Sequence, residues 1–176
     1  MPAEPARKHA LWLMPGGKVR EKLLALITGL SESYRTPPFE PHITLLGGLV
    51  SSEGVLAHGT KELAFSFGPL EVELDGMGYA EEYYRCLFAK VRETGQLMEL
   101  NRRARDIFGR ADDPPFMPHV SLMYSNMRAS KKRRMIPPLE DEVRGMRFRA
   151  ERLYLYLTEG EPPDWREAAN YPFSAG

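Results

Sequence analysis

Apolar positions along the chain change period several times, and each change marks an element. From His9 the stretch Ala10-Leu11-Trp12-Leu13-Met14 is apolar without a break and predicts a buried strand. Between about Lys18 and Leu30 the apolar residues Val19, Leu23, Ile27 and Leu30 recur at helical spacing. A second such pair follows: a strand over Tyr84-Arg85-Cys86-Leu87-Phe88-Ala89, then a helix from about Gln96 to Phe108. Leu97, Leu100, Ala104 and Ile107 line that helix's buried face. Helical stretches are predicted at about Glu53 to Leu63 and Ser130 to Met135, with strands at Leu70 to Leu74 and Phe148 to Leu157. Gly76-Met77-Gly78 reads as a bulge or turn.

The elements repeat because part of the sequence repeats. Pro37-Pro38-Phe39-Glu40-Pro41-His42-Ile43-Thr44-Leu45-Leu46 returns as Pro114-Pro115-Phe116-Met117-Pro118-His119-Val120-Ser121-Leu122-Met123, with six of ten positions identical. The pattern predicts an α+β fold of two pseudo-symmetric lobes. Each is an antiparallel sheet with helices on its outer face, and an active-site cleft lies between them. The lobes are expected at about residues 9–80 and 81–158 of a single bilobal domain. A C-terminal segment, 159–176, holds Trp165 and Tyr171 and is expected as an edge strand or cover.

Strand side chains alternate between faces. His42 and Thr44 therefore share one face and Ile43 and Leu45 the other. His119 and Ser121 share a face in the same way, opposite Val120 and Leu122. Two imidazoles and two hydroxyls around one cavity suit acid–base work on a phosphodiester. Imidazole titrates near neutrality, so one ring can take a proton while the other gives one. The hydroxyls can hold phosphate oxygens. A lone His-x-Thr is a common triplet; two copies within a ten-residue repeat are not, and they make His42 and His119 catalytic candidates with Thr44 and Ser121 as phosphate-binding residues. Tyr124, just after the second strand, is expected to touch substrate. Trp12 is read as core, with contact to a substrate base left open. Two histidines are too few for zinc and no carboxylate or cysteine stands beside either at ligand spacing, so no metal and no cofactor are expected. His9 and His58 read as surface residues, and Cys86 as a core residue rather than a nucleophile. Gly47-Gly48 alone is too weak to mark a phosphate loop.

Composition narrows the partners. Across 176 residues, 24 Lys+Arg balance 24 Asp+Glu, which argues against a protein that coats long nucleic acid. The balance is uneven: residues 81–176 carry 17 basic and 15 acidic side chains, and residues 1–80 carry 7 and 9. Arg128, Lys131, Lys132, Arg133 and Arg134 form a basic cluster, read as a solvated face or as an attractor of phosphorylated substrate. No apolar run approaches a membrane span and the N-terminus lacks a signal-peptide core. The lone Cys86 fits a reducing compartment. An intracellular, cytoplasmic monomer is therefore expected.

The paired His42-x-Thr44 and His119-x-Ser121 resemble the signature of the two-histidine (2H) phosphoesterase superfamily. Leu11-Trp12-Leu13-Met14-Pro15, Tyr84-Arg85-Cys86-Leu87-Phe88, Phe148-Arg149-Ala150-Glu151-Arg152-Leu153 and the late Trp165 make the chain most similar to its plant and fungal-type cyclic nucleotide phosphodiesterases. That resemblance implies hydrolysis of small cyclic phosphates. These include nucleoside 2′,3′-cyclic phosphates opened to 2′-phosphates and ADP-ribose 1″,2″-cyclic phosphate, a product of tRNA splicing. Other branches act on RNA ends, as 2′-5′ RNA ligase-like proteins or 3′-end exonucleases, so short RNA ends are a second candidate partner. A non-catalytic nucleotide-binding module is the remaining alternative.

Overall fold

The computed structural model describes residues 6–174. It has α+β architecture, with four α-helices on an eight-stranded sheet in which every paired strand is antiparallel. The strands are β1 (Arg7–Leu13), β2 (Ile43–Ser51), β3 (Leu70–Tyr79), β4 (Leu87–Val91), β5 (His119–Met123), β6 (Arg147–Ala150), β7 (Arg152–Leu157) and β8 (Arg166–Pro172). The helices are α1 (Gly17–Tyr34), α2 (Glu53–Phe65), α3 (Gly95–Phe108) and α4 (Ala129–Val143).

Local sequence accounts for the helix ends. The Thr94 hydroxyl accepts the Leu97 N–H to start α3. Gly109, at φ 67°, takes the left-handed conformation that closes it. Leu97, Leu100 and Ala104 are buried as their spacing predicts, as are Leu23 and Ile27 of α1. The edge strand β8 pairs with β7, setting Tyr171 opposite Leu153. The strand predicted over Phe148 to Leu157 is two strands, and α4 runs past the predicted Met135 to Val143.

Strand order is β6-β3-β4-β5-β2-β1-β7-β8. The strands that carry the repeated motif, β2 and β5, are the central neighbours, and the sheet divides between them into two quartets. The sequence boundary at residue 80 and the boundary in the sheet do not coincide. The last strand of the first repeat, β3, pairs with β4, the first strand of the second repeat. The last strand of the second repeat, β7, pairs with β1. The β6-β3-β4-β5 half thus contains one strand from the first half of the chain, β3, and the β2-β1-β7-β8 half contains two from the second, β7 and the C-terminal β8. Apolar burial explains it: Leu70, Val72 and Leu74 of β3 are covered by α4, and Leu153, Leu155 and Leu157 of β7 are covered by α2.

Candidate active site

Ile43 pairs with Val120 where β2 meets β5. Extending that antiparallel register by one residue sets His42 opposite Ser121 and Thr44 opposite His119. The four side chains form a two-by-two array on one sheet face, with like residues on the diagonals. Ile43 and Val120, both fully buried, point to the helix face. The two copies of the repeat thus meet where β2 joins β5. A cleft of about 390 Å³ lies over the array, and its lining includes all four residues together with Trp12, Tyr84, Tyr124 and Trp165.

Each imidazole is held in the same way. His42 Nδ1 is 2.7 Å from the Glu40 carbonyl and His119 Nδ1 is 2.8 Å from the Met117 carbonyl. A carbonyl can only accept, so Nδ1 carries the proton in both rings. Nε2 is then the lone-pair nitrogen of the neutral form. The approach to each histidine is braced by an arginine from the preceding helix. Arg20 Nη2 donates to both carboxylate oxygens of Glu40, at 2.9 and 2.8 Å. Arg105 donates to the carbonyls of Asp113 and Pro114, at 2.9 and 2.6 Å. Pro41 and Pro118, both buried, keep the preceding residues extended.

The symmetry stops at the surroundings. His42 is 5% exposed and its ring lies on Trp12, with centroids 3.5 Å apart and planes 8° from parallel. Phe88 is the counterpart of Trp12: it pairs with Ser121 as Trp12 pairs with Thr44. Yet the Phe88 ring meets His119 only at 5.2 Å and 58°. Burial pushes the His42 pKa down from 6.5 to about 4 against the opposing Glu40 bond, and the His119 charge pushes the same way. Burial also lowers His119, with the Met117 bond opposing it. The hydroxyls differ too. Ser121 Oγ donates to the Tyr84 carbonyl at 2.9 Å. Among the described residues, the Thr44 hydroxyl makes no hydrogen bond.

Tyr124 reaches the cleft because β5 ends at Met123; continued alternation would have carried it to the helix face with Val120 and Leu122. Its ring is stacked on Phe39 at 3.9 Å, and burial pushes its phenol above the ordinary range, so it stays protonated. Trp12 also borders the cleft, but both its faces are covered, by His42 and by Tyr156 at 3.9 Å. It cannot stack on a base.

Three further sequence readings change. His9 is fully buried rather than exposed, with Nδ1 2.9 Å from the Arg7 carbonyl and Nε2 3.4 Å from Glu53. The strand carries it to the helix face, under the first turn of α2. His58 is exposed as read. Within the basic cluster Lys132 is 2% exposed and donates to the Ala80 carbonyl at 2.7 Å, because α4 turns it inward with Met135, Leu139 and Val143. The other four are exposed, and none of the five lines the cleft. Cys86 is fully buried and burial raises its thiol pKa, as suits a core residue.

Sequence reasoning did not assign Tyr84 to the cleft, nor Trp165 beyond a cover. It also missed the β2 bulge. Leu46 pairs with Leu11 and Leu49 with His9, so Gly47 and Gly48 together oppose Ala10. Arg110 donates to both their carbonyls, at 2.9 and 3.2 Å, tying this wall to the second repeat. The Gly47-Gly48 pair was the available signal, and Gly48 takes a positive φ of 63° in the bulge. Among the described residues no group of three His, Cys, Asp or Glu could hold a metal ion. No helix there is long and apolar enough to cross a membrane.

A two-fold repeated His-x-Thr/Ser array on the open face of one antiparallel sheet defines the two-histidine phosphoesterase class. The chain belongs to the 2′-5′ RNA ligase superfamily, whose family model matches residues 7–162. It is 21% identical over 156 residues to the cyclic phosphodiesterase of Arabidopsis thaliana, covering 87% of this chain and 86% of that protein. Its fold is similar to TT0787 of Thermus thermophilus, with a TM-score of 0.72, 20% identity and coverage of 96% and 98% of the two chains. It is also similar to E. coli LigT in apo form, with a TM-score of 0.70, 18% identity and coverage of 97% and 99%. LigT complexed with 3′-AMP matches at 0.68 and 17% identity, covering 97% and 99%.

Proposed function

We propose that this phosphoesterase hydrolyses small cyclic phosphodiesters: nucleoside 2′,3′-cyclic phosphates to 2′-phosphates, and ADP-ribose 1″,2″-cyclic phosphate. The observation that carries this reading is the pair of imidazoles fixed through Nδ1, with Thr44 and Ser121 on the same face. The phosphate sits between the two Nε2 atoms. A water oxygen attacks phosphorus, and the bond from phosphorus to one ring oxygen breaks. One imidazole takes the water's proton and the other gives its proton to the departing oxygen. Thr44 donates to a non-bridging oxygen. Ser121 does the same after turning its hydrogen away from the Tyr84 carbonyl. As charge grows on those oxygens, the imidazolium and the two donors stabilise it. The distant cyclic phosphodiesterase relative supports this choice of substrate, and LigT with 3′-AMP supports a nucleotide-sized ligand. The basic cluster lies off the cleft, so nothing there favours a long RNA ligand over a small one.

The test is turnover of adenosine 2′,3′-cyclic phosphate by the full chain in the presence of EDTA, with the product identified by NMR. Wild-type activity should survive the chelator. His42→Ala and His119→Ala should each lose about 10²- to 10⁴-fold in kcat. Near-wild-type turnover in either variant, or strict need for an added divalent ion, would sink the two-histidine mechanism.

A further inference from the structure

Tyr84 and Trp165 differ from Trp12 and Tyr124 in having no parallel-stacked neighbour: Tyr84 meets Tyr83 at 4.9 Å and Tyr124 at 5.2 Å edge-on, and Trp165 meets Trp12 and Tyr124 at 6.0 Å with planes 65° and 58° apart. Trp12 is sandwiched between His42 and Tyr156, and Tyr124 is 3% exposed against Phe39. Tyr84, by contrast, is 50% exposed, a large apolar ring at the edge of a polar array. It stands on a 3₁₀ turn, Tyr83–Arg85, that leads into β4. Trp165 is half-buried and follows a second 3₁₀ turn, Pro162–Asp164, that leads into β8. These connections belong to opposite halves of the sheet, so the two rings meet across the cleft.

Their centroids are 5.9 Å apart with planes at 37°. Stacked pairs at the same site close to 3.5 and 3.9 Å. The Tyr84–Trp165 pair is therefore ajar. A base held between two rings needs about 7 Å, twice one stacking distance. Admitting a base therefore needs the exposed Tyr84 to swing outward by about 1 Å and its plane to turn through the 37° that separates it from Trp165, side-chain motions typical of a surface residue. The phosphate-binding group is adjacent, because the Tyr84 carbonyl is the acceptor of the Ser121 hydroxyl. The indole's only donor is already directed to the Gly160 carbonyl at 3.3 Å. Trp165 thus offers a face and no edge.

We infer that Tyr84 and Trp165 form a nucleobase clamp at the mouth of the cleft, which selects cyclic phosphates bearing a planar heterocycle by its faces rather than its edges. Ring area then sets the order: purine above pyrimidine, and either well above a substrate with no base. The inference rests on the cyclic phosphodiesterase reading.

The experiment compares kcat/KM for adenosine 2′,3′-cyclic phosphate, cytidine 2′,3′-cyclic phosphate and the base-free glycerol 1,2-cyclic phosphate. Wild type should prefer adenosine to glycerol by on the order of ten- to hundredfold, with cytidine between. Tyr84→Ala should cut the adenosine-to-glycerol ratio by about tenfold, and Tyr84→Phe, which keeps the ring, should retain it. Trp165→Ala should cut it similarly. Tyr84 is exposed and its backbone carbonyl survives substitution, so the Tyr84 variants keep the Ser121 contact. A ratio unchanged by Tyr84→Ala, with both substrates slowed equally, overturns the clamp, as does a wild type without preference. If wild type turns over none of the three, the cyclic phosphodiesterase reading fails instead. The clamp is then decided by equilibrium binding of adenosine 2′-monophosphate against inorganic phosphate. A Tyr84→Ala loss specific to the nucleotide sustains it, and equal affinities reject it.

Discussion

His42 and His119 share a motif, a tautomer and a backbone partner type, yet their pKa values are lowered in different settings. His42 is stacked and enclosed; His119 is half-buried. Acid–base catalysis needs one proton on the pair, whichever ring holds it. A histidine with a lowered pKa is protonated only below that lowered value. The singly protonated pair is therefore most populated between about 4, for His42, and the depressed value of His119, which lies below 6.5. The expected kcat/KM profile is a bell on the acid side of neutrality. It falls towards pH 4 as both rings gain protons, and falls through neutrality as the last proton leaves. A rate that climbs steadily from about pH 6 to 8 would contradict it. The four residues of the array were legible because the decapeptide is repeated. Tyr84 and Trp165 were points of family resemblance but could not be assigned to the cleft, since they lie 81 positions apart and outside the repeated decapeptide.

At the scale of elements, the misreadings share a cause: local signals were overruled by packing. Pro137 and Pro138 argue against a helix past Met135. The helix α4 continues because Lys132, Met135, Leu139 and Val143 still present one face to β3. The expected bulge at Gly76-Met77-Gly78 does occur, as a register shift between Leu74 and Met77 of β3. Gly76 has φ 91°, and an added Cβ would lie 2.6 Å from Glu140 Oε1. The same carboxylate accepts the Met77 N–H at 2.6 Å and so joins α4 to the bulge. Gly76→Ala should destabilise the fold by roughly 1–3 kcal/mol, combining backbone strain with displacement of Glu140. The urea midpoint measures this. An unchanged midpoint would mean that the bulge relaxes freely.

For the whole molecule, the exchange of β3 and β7 makes each half of the sheet depend on both halves of the chain. Residues 1–80 alone would leave β3 without β4 and β6, and β1 without β7. Fragments 1–80 and 81–176 should each lack cooperative unfolding when expressed separately, and mixing them should restore both native circular dichroism and activity. A cooperative thermal transition in either fragment alone would show that the exchange is dispensable. The buried apolar residues of the exchanged strands, Leu70, Val72 and Leu74 in one and Leu153, Leu155 and Leu157 in the other, are what the missing partners would leave exposed.

The sequence by itself determined the α+β class, the helix and strand types, and the histidine–hydroxyl pairs, because periodicity and a repeated motif are local properties of the chain. Its 176 residues also carried the charge balance that disfavours a long polyanion. Tertiary structure alone decided that the two motif strands are neighbours in one sheet, that β3 and β7 change places, that His9 and Lys132 are buried, and which aromatic faces stay open. These depend on residues far apart in the chain competing for the same apolar surface and the same hydrogen bonds, and no local period encodes the outcome of that competition.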